Sequence, residues 1–485
     1  MNTLTGLEPA RVYHYFEEIC QIPRPSKKED QIANYLLDFG KKHNLEAFRD
    51  ATGNVIIRKP ATRGMENLKS VVLQSHIDMV CEKNSDTVHD FDKDPIKPYI
   101  ADEWVKAKGT TLGADDGIGV AAQLAILESQ EIQHGPIECL FTVDEETGLT
   151  GAFGLDTDAL KSTILLNLDS EDEGEIFIGC AGGIDTVITM PLTKENNTGE
   201  GKGFTVKVSG LKGGHSGDDI NKGLGNANKI LNRVLWESVR KFGLQLASFN
   251  AGNLRNAIAR EGEALVSVPA SNAGAFREYV VKYNDIVRNE YRITEPDLKV
   301  EVAEATNPGT VMTADTRDKL LNALYACPHG VIAMSQSIAN FVETSTNLAA
   351  VRTREDSIEI TTSQRSSVES AKFDTANMVA SVFTLAGGKA VHGEGYPGWT
   401  PNPNSEILEI AKAQYQKLFG QSPKVLAIHA GLECGLIGEK YPAMDMISYG
   451  PTIKGAHSPD ERLNIATVAK FWDLTLEILK NIPKS

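Results

Sequence analysis

Short apolar runs that alternate with helix-period runs fill the first third of the chain and return at its end. Residues 54–60 (NVIIRKP), 70–80 (SVVLQSHIDMV), 136–146 (PIECLFTVDEE) and 163–170 (TILLNLDS) are apolar, rich in β-branched residues and closed by polar ones, which predicts buried strands. Between them GIGVAAQLAILES (117–129) has helical periodicity. This βαβ rhythm predicts an α/β fold, a mixed sheet flanked by helices. The C-terminal segment resumes it, with helices expected at 405–419 and 464–482 and strands at 424–435 and 443–449.

The middle of the chain has another pattern. Longer amphipathic helices (226–243, 275–291, 373–387) sit among alternating strands such as DLKVEVAEA (297–305) and DSIEITTSQ (356–364). An antiparallel sheet with helices on one face fits this α+β pattern. The expected architecture is a discontinuous α/β catalytic domain, residues 1–184 and 391–485, with an α+β insertion at 185–390. A length of 485 residues also favours two to three domains.

Hydrophobic residues at 41% and charged residues at 24% describe a globular chain, and the net charge of −16 disfavours nucleic acid or an anionic membrane surface as partner. The N-terminus reads as a polar cap before an amphipathic helix, not a secretory leader, and no run approaches the roughly 18 apolar residues of a membrane span. Six scattered cysteines (Cys20, Cys81, Cys139, Cys180, Cys327, Cys434) form no CxxC pair. They read as reduced thiols of a cytoplasmic protein and remove cysteine-type zinc sites from consideration.

Polar clusters stand where strands are expected to end, the position at which open α/β sheets place their sites. They are His76-Ile77-Asp78, Asp115-Asp116 in GADDG, Asp144-Glu145-Glu146 in DEETG, and Asp169 in NLDSEDEGE, with His457 in KGAHSPDERL as a further candidate. Singly, each has an ordinary explanation. A strand-end histidine is usually structural, paired acids before a helix cap it, and Glu171–Glu175 reads as a solvated loop. Jointly they do not, because carboxylates gathered at one sheet edge repel unless a cation neutralises them. Two imidazoles with carboxylates and no thiolate are a catalytic zinc inventory. In His-x-Asp, strand alternation puts Asp78 on the His76 face, where it can orient the ring.

The order HxD, GADD, DEE, D, H resembles the zinc aminoacylase and dipeptidase family that includes carboxypeptidase G, the carnosinases and the bacterial aminoacyl-histidine dipeptidases. The likeness runs nearly end to end, through TVHDFDKDPIKPYI, CAGGID, LKGGHSG, GLGNANK, LRNAIAREG, PHG, YPGW and HAGLECG. It implies two zinc ions per subunit, in whose place cobalt or manganese can serve. One ion is implied to be held by His76, Asp115 and Asp169, and the second by Asp115, Glu146 and His457. Asp78 is implied to be the orienting acid and Glu145 the general base, with Asp116 a helix-start residue. The insertion is implied to be a lid that also forms a homodimer. In it His215 of GGHSG would stabilise the reacting carbonyl, and Asn256 and Arg365 would grip the substrate carboxylate. The implied activity is hydrolysis of dipeptides, Xaa-His and β-alanyl-histidine above all. Two alternatives stay open, a tripeptidase or N-acyl-amino-acid amidohydrolase of the same family, and a non-enzymatic binding protein on the same fold.

Overall fold

The apolar runs of the first third form the centre of a sheet because their side chains have no polar face to turn to water. In the computed structural model, which describes residues 3–198 and 200–485, Ile137–Thr142 and Val71–His76 are buried at every position. They run parallel to each other, and Val71–His76 runs parallel to Ile164–Asn167, which runs parallel to Asp445–Ser448. Burial on both faces is what an unbroken β-branched run predicts for a parallel strand. Antiparallel strands flank this centre, Val55–Lys59 and Glu46–Arg49 on one side and Glu175–Cys180 on the other, in an eight-stranded mixed sheet closed by Lys424–Ile428.

The helix Ala114–Glu128 is apolar nearly all round and accordingly buried along its length. It lies against Ala10–Cys20, with Arg11 paired to Glu128 at 2.6 Å. The helices Glu406–Phe419 and Ile465–Lys480 begin on side-chain caps from Ser405 and Asn464. A small four-stranded sheet joins Ile453–Lys454, Arg462–Asn464, Trp104–Ala107 and Pro98–Ala101.

Two compact units divide the chain. The first comprises residues 1–179, 399–427 and 432–485, and the second residues 180–398 and 428–431. The second is built on a nine-stranded sheet whose pairings are all antiparallel. Along Gly182–Pro191, buried Thr186, Ile188 and Met190 alternate with Val187, Thr189 and Pro191, which are exposed. Ile188, Met190, Ile358 and Ile360 share one core with Val379 and Phe383 of the helix Glu369–Leu385. The same core takes Leu231, Val234 and Leu235 from Ala227–Phe242 and Phe276 and Val280 from Ala273–Glu290. Helices therefore cover one face of this sheet.

Two local readings change. The run 424–435, expected as one strand, stops at Ile428, and a helix begins at Glu433. Glu433, a charged residue at 0% exposure, is the reason: it turns inward to accept from Gln74 Nε2 at 2.6 Å and Thr142 Oγ1 at 2.7 Å. The acids of Glu171–Glu175, expected to be solvated, are half-buried, and three of them pair with lysines of the C-terminal segment. Asp172 meets Lys454, Glu173 meets Lys470 at 3.2 Å and Glu175 meets Lys424 at 2.9 Å.

Candidate functional site

His76 is the last residue of its strand and is buried to 1% exposure. Its ring is held from both nitrogens: Nδ1 stands 3.3 Å from Asp78 Oδ1, and Nε2 stands 3.1 Å from Asp115 Oδ1 and 3.3 Å from Asp169 Oδ1. Asp169 follows Ile164–Asn167, so two neighbouring parallel strands deliver a ligand-type residue each. A second imidazole, His457, stands 3.3 Å from Asp115 Oδ2 and 3.0 Å from Glu146 Oε2. Asp115 thus belongs to two sets of three, His76–Asp115–Asp169 and Asp115–Glu146–His457, with the atoms of each set within 4.8 Å of one another.

Two carriers differ from the expected strand ends. Asp115 follows the small side sheet and opens the helix Ala114–Glu128, where it and Asp116 leave helical torsions and share a cis peptide bond. His457 stands in the turn between the paired strands Ile453–Lys454 and Arg462–Asn464, with φ of 62°. Asp116 points elsewhere: it is 1% exposed, and its Oδ1 accepts the Gly119 N–H at 3.2 Å as a helix-start acid does.

The loops that aim these groups are braced by charges the sequence did not single out. Glu461 is buried, and its two oxygens accept the N–H groups of Leu112 (2.6 Å), Gly113 (2.9 Å), Ala114 (2.7 Å) and Asp115 (3.3 Å). Arg24, also buried, donates to the carbonyls of Ile77 at 3.1 Å and Asp78 at 2.8 Å, and to that of Gly113. Gly113 has φ of 69°, and a Cβ there would stand 2.5 Å from the Arg24 guanidinium, so only glycine fits. Asp78 accepts from Ser26 Oγ at 2.7 Å and from the N–H groups of Glu145 (3.0 Å) and Glu146 (3.2 Å). One carboxylate therefore orients His76 and the turn Glu145–Gly148 together. The clue to Arg24 and Glu433 was a charge inside an otherwise uncharged motif, IPRPS and LECG, whereas Glu461 stands between Asp460 and Arg462 and gives no such signal.

The electrostatics ask for positive charge. Burial and the charges of Asp115 and Glu433 push Asp169 well above the ordinary carboxylate range, against the pull of His76. Burial and the charges of Asp169, Glu433 and Glu146 do the same to Glu145. Burial alone would raise Asp115, but His457 and His76 outweigh it and hold it low. Asp115 and Glu146 lift His457 to about 11. The donor distances fit a cation as well. Ligand atoms about 2.0–2.1 Å from a tetrahedral zinc lie about 3.3 Å apart, and the four nitrogen–oxygen separations here are 3.0 to 3.3 Å. Nitrogen and oxygen donors without thiolates suit a catalytic zinc and also admit cobalt or manganese.

In the second unit the three remaining candidates fall in one neighbourhood. His215 pairs through its backbone with Ala257, and the Ser216 N–H donates to the Asn256 carbonyl at 2.8 Å, so the GGHSG and LRNAIAR loops lie side by side. His215 Nδ1 accepts the N–H groups of Gly217 (3.3 Å) and Asp218 (3.2 Å), which leaves the ring hydrogen on Nε2. Arg365, at 7% exposure on Ser357–Ser366, donates from Nε to Ser216 Oγ at 3.3 Å.

A mixed α/β sheet that gathers imidazoles and carboxylates about a shared aspartate defines a metallopeptidase-type site. The chain belongs to peptidase family M20/M25/M40, which it matches over residues 72–481. It is 46% identical over 483 residues, covering 100% of both chains, to the cytosol non-specific dipeptidase of Escherichia coli (strain K12). It is also 46% identical to an aminoacylhistidine dipeptidase from Vibrio alginolyticus, with a TM-score of 0.95 over 99% of this chain and 98% of that one. An aminopeptidase from Bacillus cereus, at 18% identity and a TM-score of 0.58 over 98% and 99% of the two chains, shares the fold.

Proposed function

We propose that the chain is a metal-dependent dipeptidase, cytoplasmic and homodimeric, that prefers Xaa-His substrates, β-alanyl-histidine included. The observation that carries this reading is the sharing of Asp115 between two sets of ligand-type side chains, one carboxylate oxygen facing each imidazole. The dipeptidase names of two relatives similar over their full length support the substrate class.

His76, Asp115 and Asp169 would hold one zinc ion, and Asp115, Glu146 and His457 the second. When bound, the cations supply Lewis acidity toward the scissile carbonyl and the attacking water. Asp78 fixes the His76 ring and, through two backbone N–H groups, the turn that presents Glu145. Glu145 takes the proton of the attacking water and delivers it to the leaving amine. His215 offers Nε2–H to the developing oxyanion. Asn256 and Arg365 hold the terminal carboxylate, which confines the site to short substrates. The second unit serves as lid and dimerisation domain. Exposed Phe373, Met378 and Leu385 on its helix Glu369–Leu385 support association there.

A chelator should abolish hydrolysis of dipeptides and added zinc should restore it, with tripeptides and N-acetyl amino acids cleaved poorly. Full turnover by protein shown to be metal-free removes the reading, and faster cleavage of tripeptides or N-acetyl amino acids redirects it within the family. Sedimentation of a monomer at working concentration removes the dimer.

A further inference from the structure

Among the described residues, Arg365 is a buried cation without a counter-ion. Its guanidinium donates to two neutral hydroxyls, from Nε to Ser216 Oγ at 3.3 Å and from Nη1 to Tyr396 OH at 3.0 Å, and no carboxylate among the described residues pairs with it. Asp218, the acid that feels its charge, forms no ion pair with the guanidinium. A buried charge left in this state is costly unless an anion from outside completes it.

The two hydroxyls have unspent capacity. Each accepts one N–H from Arg365, and among the described residues neither is seen to donate its own hydrogen. Burial pushes the Tyr396 phenol up against the pull of Arg365, so it keeps the proton it would donate.

The surroundings are shaped to hold the Tyr396 ring in place. Gly183 and Gly431 flank it, and a Cβ at either would stand 2.8 Å from ring atoms. Gly183 is also the cross-strand neighbour of Arg365 on one side, and Ser345 on the other, so small residues leave room for both large side chains. The Tyr396 backbone is tied twice to Gly183, at 2.8 and 3.0 Å, and its carbonyl also accepts from the buried Lys372 Nζ at 2.8 Å. A side chain serving only to fill space would not need its oxygen fixed so closely.

We infer that Tyr396 and Ser216 are further substrate-binding residues, whose hydroxyl hydrogens and the Arg365 guanidinium form one cradle for the terminal carboxylate of the peptide. The cradle rests on the dipeptidase reading, and it makes Tyr396 and Ser216 determinants of the preference for a free C-terminus. Both carboxylate oxygens are then served, by charge-assisted bonds from the guanidinium and from the two O–H groups.

The test compares a dipeptide with its C-terminal amide in the zinc-loaded enzyme, for Tyr396→Phe, Ser216→Ala and each change in an Arg365→Gln background. Phenylalanine keeps the ring between its glycines, and circular dichroism and metal content check that the variants are intact. Tyr396→Phe should lower the acid-over-amide ratio of kcat/KM by about 10- to 100-fold, the range for a hydrogen bond to a charged group, mainly through KM. Ser216→Ala should act in the same sense, and both losses should persist when Arg365 is already glutamine. Equal losses for acid and amide, or losses that vanish in the Arg365→Gln background, overturn the cradle by showing that the hydroxyls only brace the guanidinium. Wild-type enzyme that cleaves acid and amide alike overturns the role of Arg365 and the cradle with it. Wild-type enzyme that cleaves no dipeptide overturns the dipeptidase reading itself.

Discussion

Glu145 and Glu146 are consecutive, share one short turn and have their N–H groups fixed by the same carboxylate, yet they face different partners. Glu146 Oε2 lies 3.0 Å from His457, whereas no imidazole pairs with the Glu145 carboxylate among the described residues. The proposed ligand and the proposed base can therefore be separated by single isosteric changes. Glu145→Gln should keep both metals and lower kcat by about 10²- to 10⁴-fold, the usual contribution of a general base. Glu146→Gln should lose metal first, and activity as a consequence. Metal analysis beside steady-state kinetics checks both, and the reverse pattern would exchange the two roles. His215→Ala should leave metal content intact and reduce kcat more than it raises KM, because a contact to the oxyanion strengthens in the transition state. A rise in KM alone would make His215 a ground-state contact.

The elements that carry these residues were legible to different depths. Val71–His76 and Ile164–Asn167 could be read as buried strands because apolar runs in a parallel sheet have no polar alternation to obscure them, and the proposed ligands His76 and Asp169 stand at or just past their ends. Helices such as Ala227–Phe242 announced themselves by an amphipathic period. Asp115 and His457 were different. Their positions depend on loops held by distant partners, and Glu461, 346 residues from Asp115, has no local pattern that reveals its four N–H contacts. The choice between Asp115 and Asp116 likewise turns on torsions that a sequence does not display. That dependence on Glu461 can be measured. Glutamine would replace one acceptor oxygen by an NH₂ group facing two N–H donors, leaving buried donors unpaired at a cost of about 1–3 kcal/mol each. Glu461→Gln should therefore lower the melting temperature and weaken both proposed metal sites together, since both would share Asp115. Loss of stability with unchanged affinity at both sites would separate the brace from the metal centre.

At the scale of the whole molecule, the residues proposed to bind metal span 76 to 457 in sequence but belong to a single compact unit, while residues 180–398 build a second unit with its own core. Metal held by the proposed ligands would therefore tie the C-terminal hairpin that carries His457 to strands laid down much earlier in the chain. A ligand that binds only the folded form stabilises it by RT ln(1 + [L]/Kd), about 4 kcal/mol at a thousand times Kd. Its removal also leaves Asp115, Glu146 and Asp169 gathered without a cation, which adds repulsion to the lost binding energy. Both effects act where the ligands are. Hydrogen exchange with and without chelator should show lower protection in Val71–His76, Ile164–Asn167 and the hairpin of Ile453–Lys454 and Arg462–Asn464 once metal is gone. The strands Gly262–Pro269 and Ser357–Ser366 place Val266, Val268, Ile358 and Ile360 in the core of the second unit and have no ligand to lose, so their protection should change little. Equal loss in both sets would mean that the chain opens as one cooperative body and that metal stabilises it as a whole. Unequal loss would give each unit a stability of its own, with the metals holding only the first.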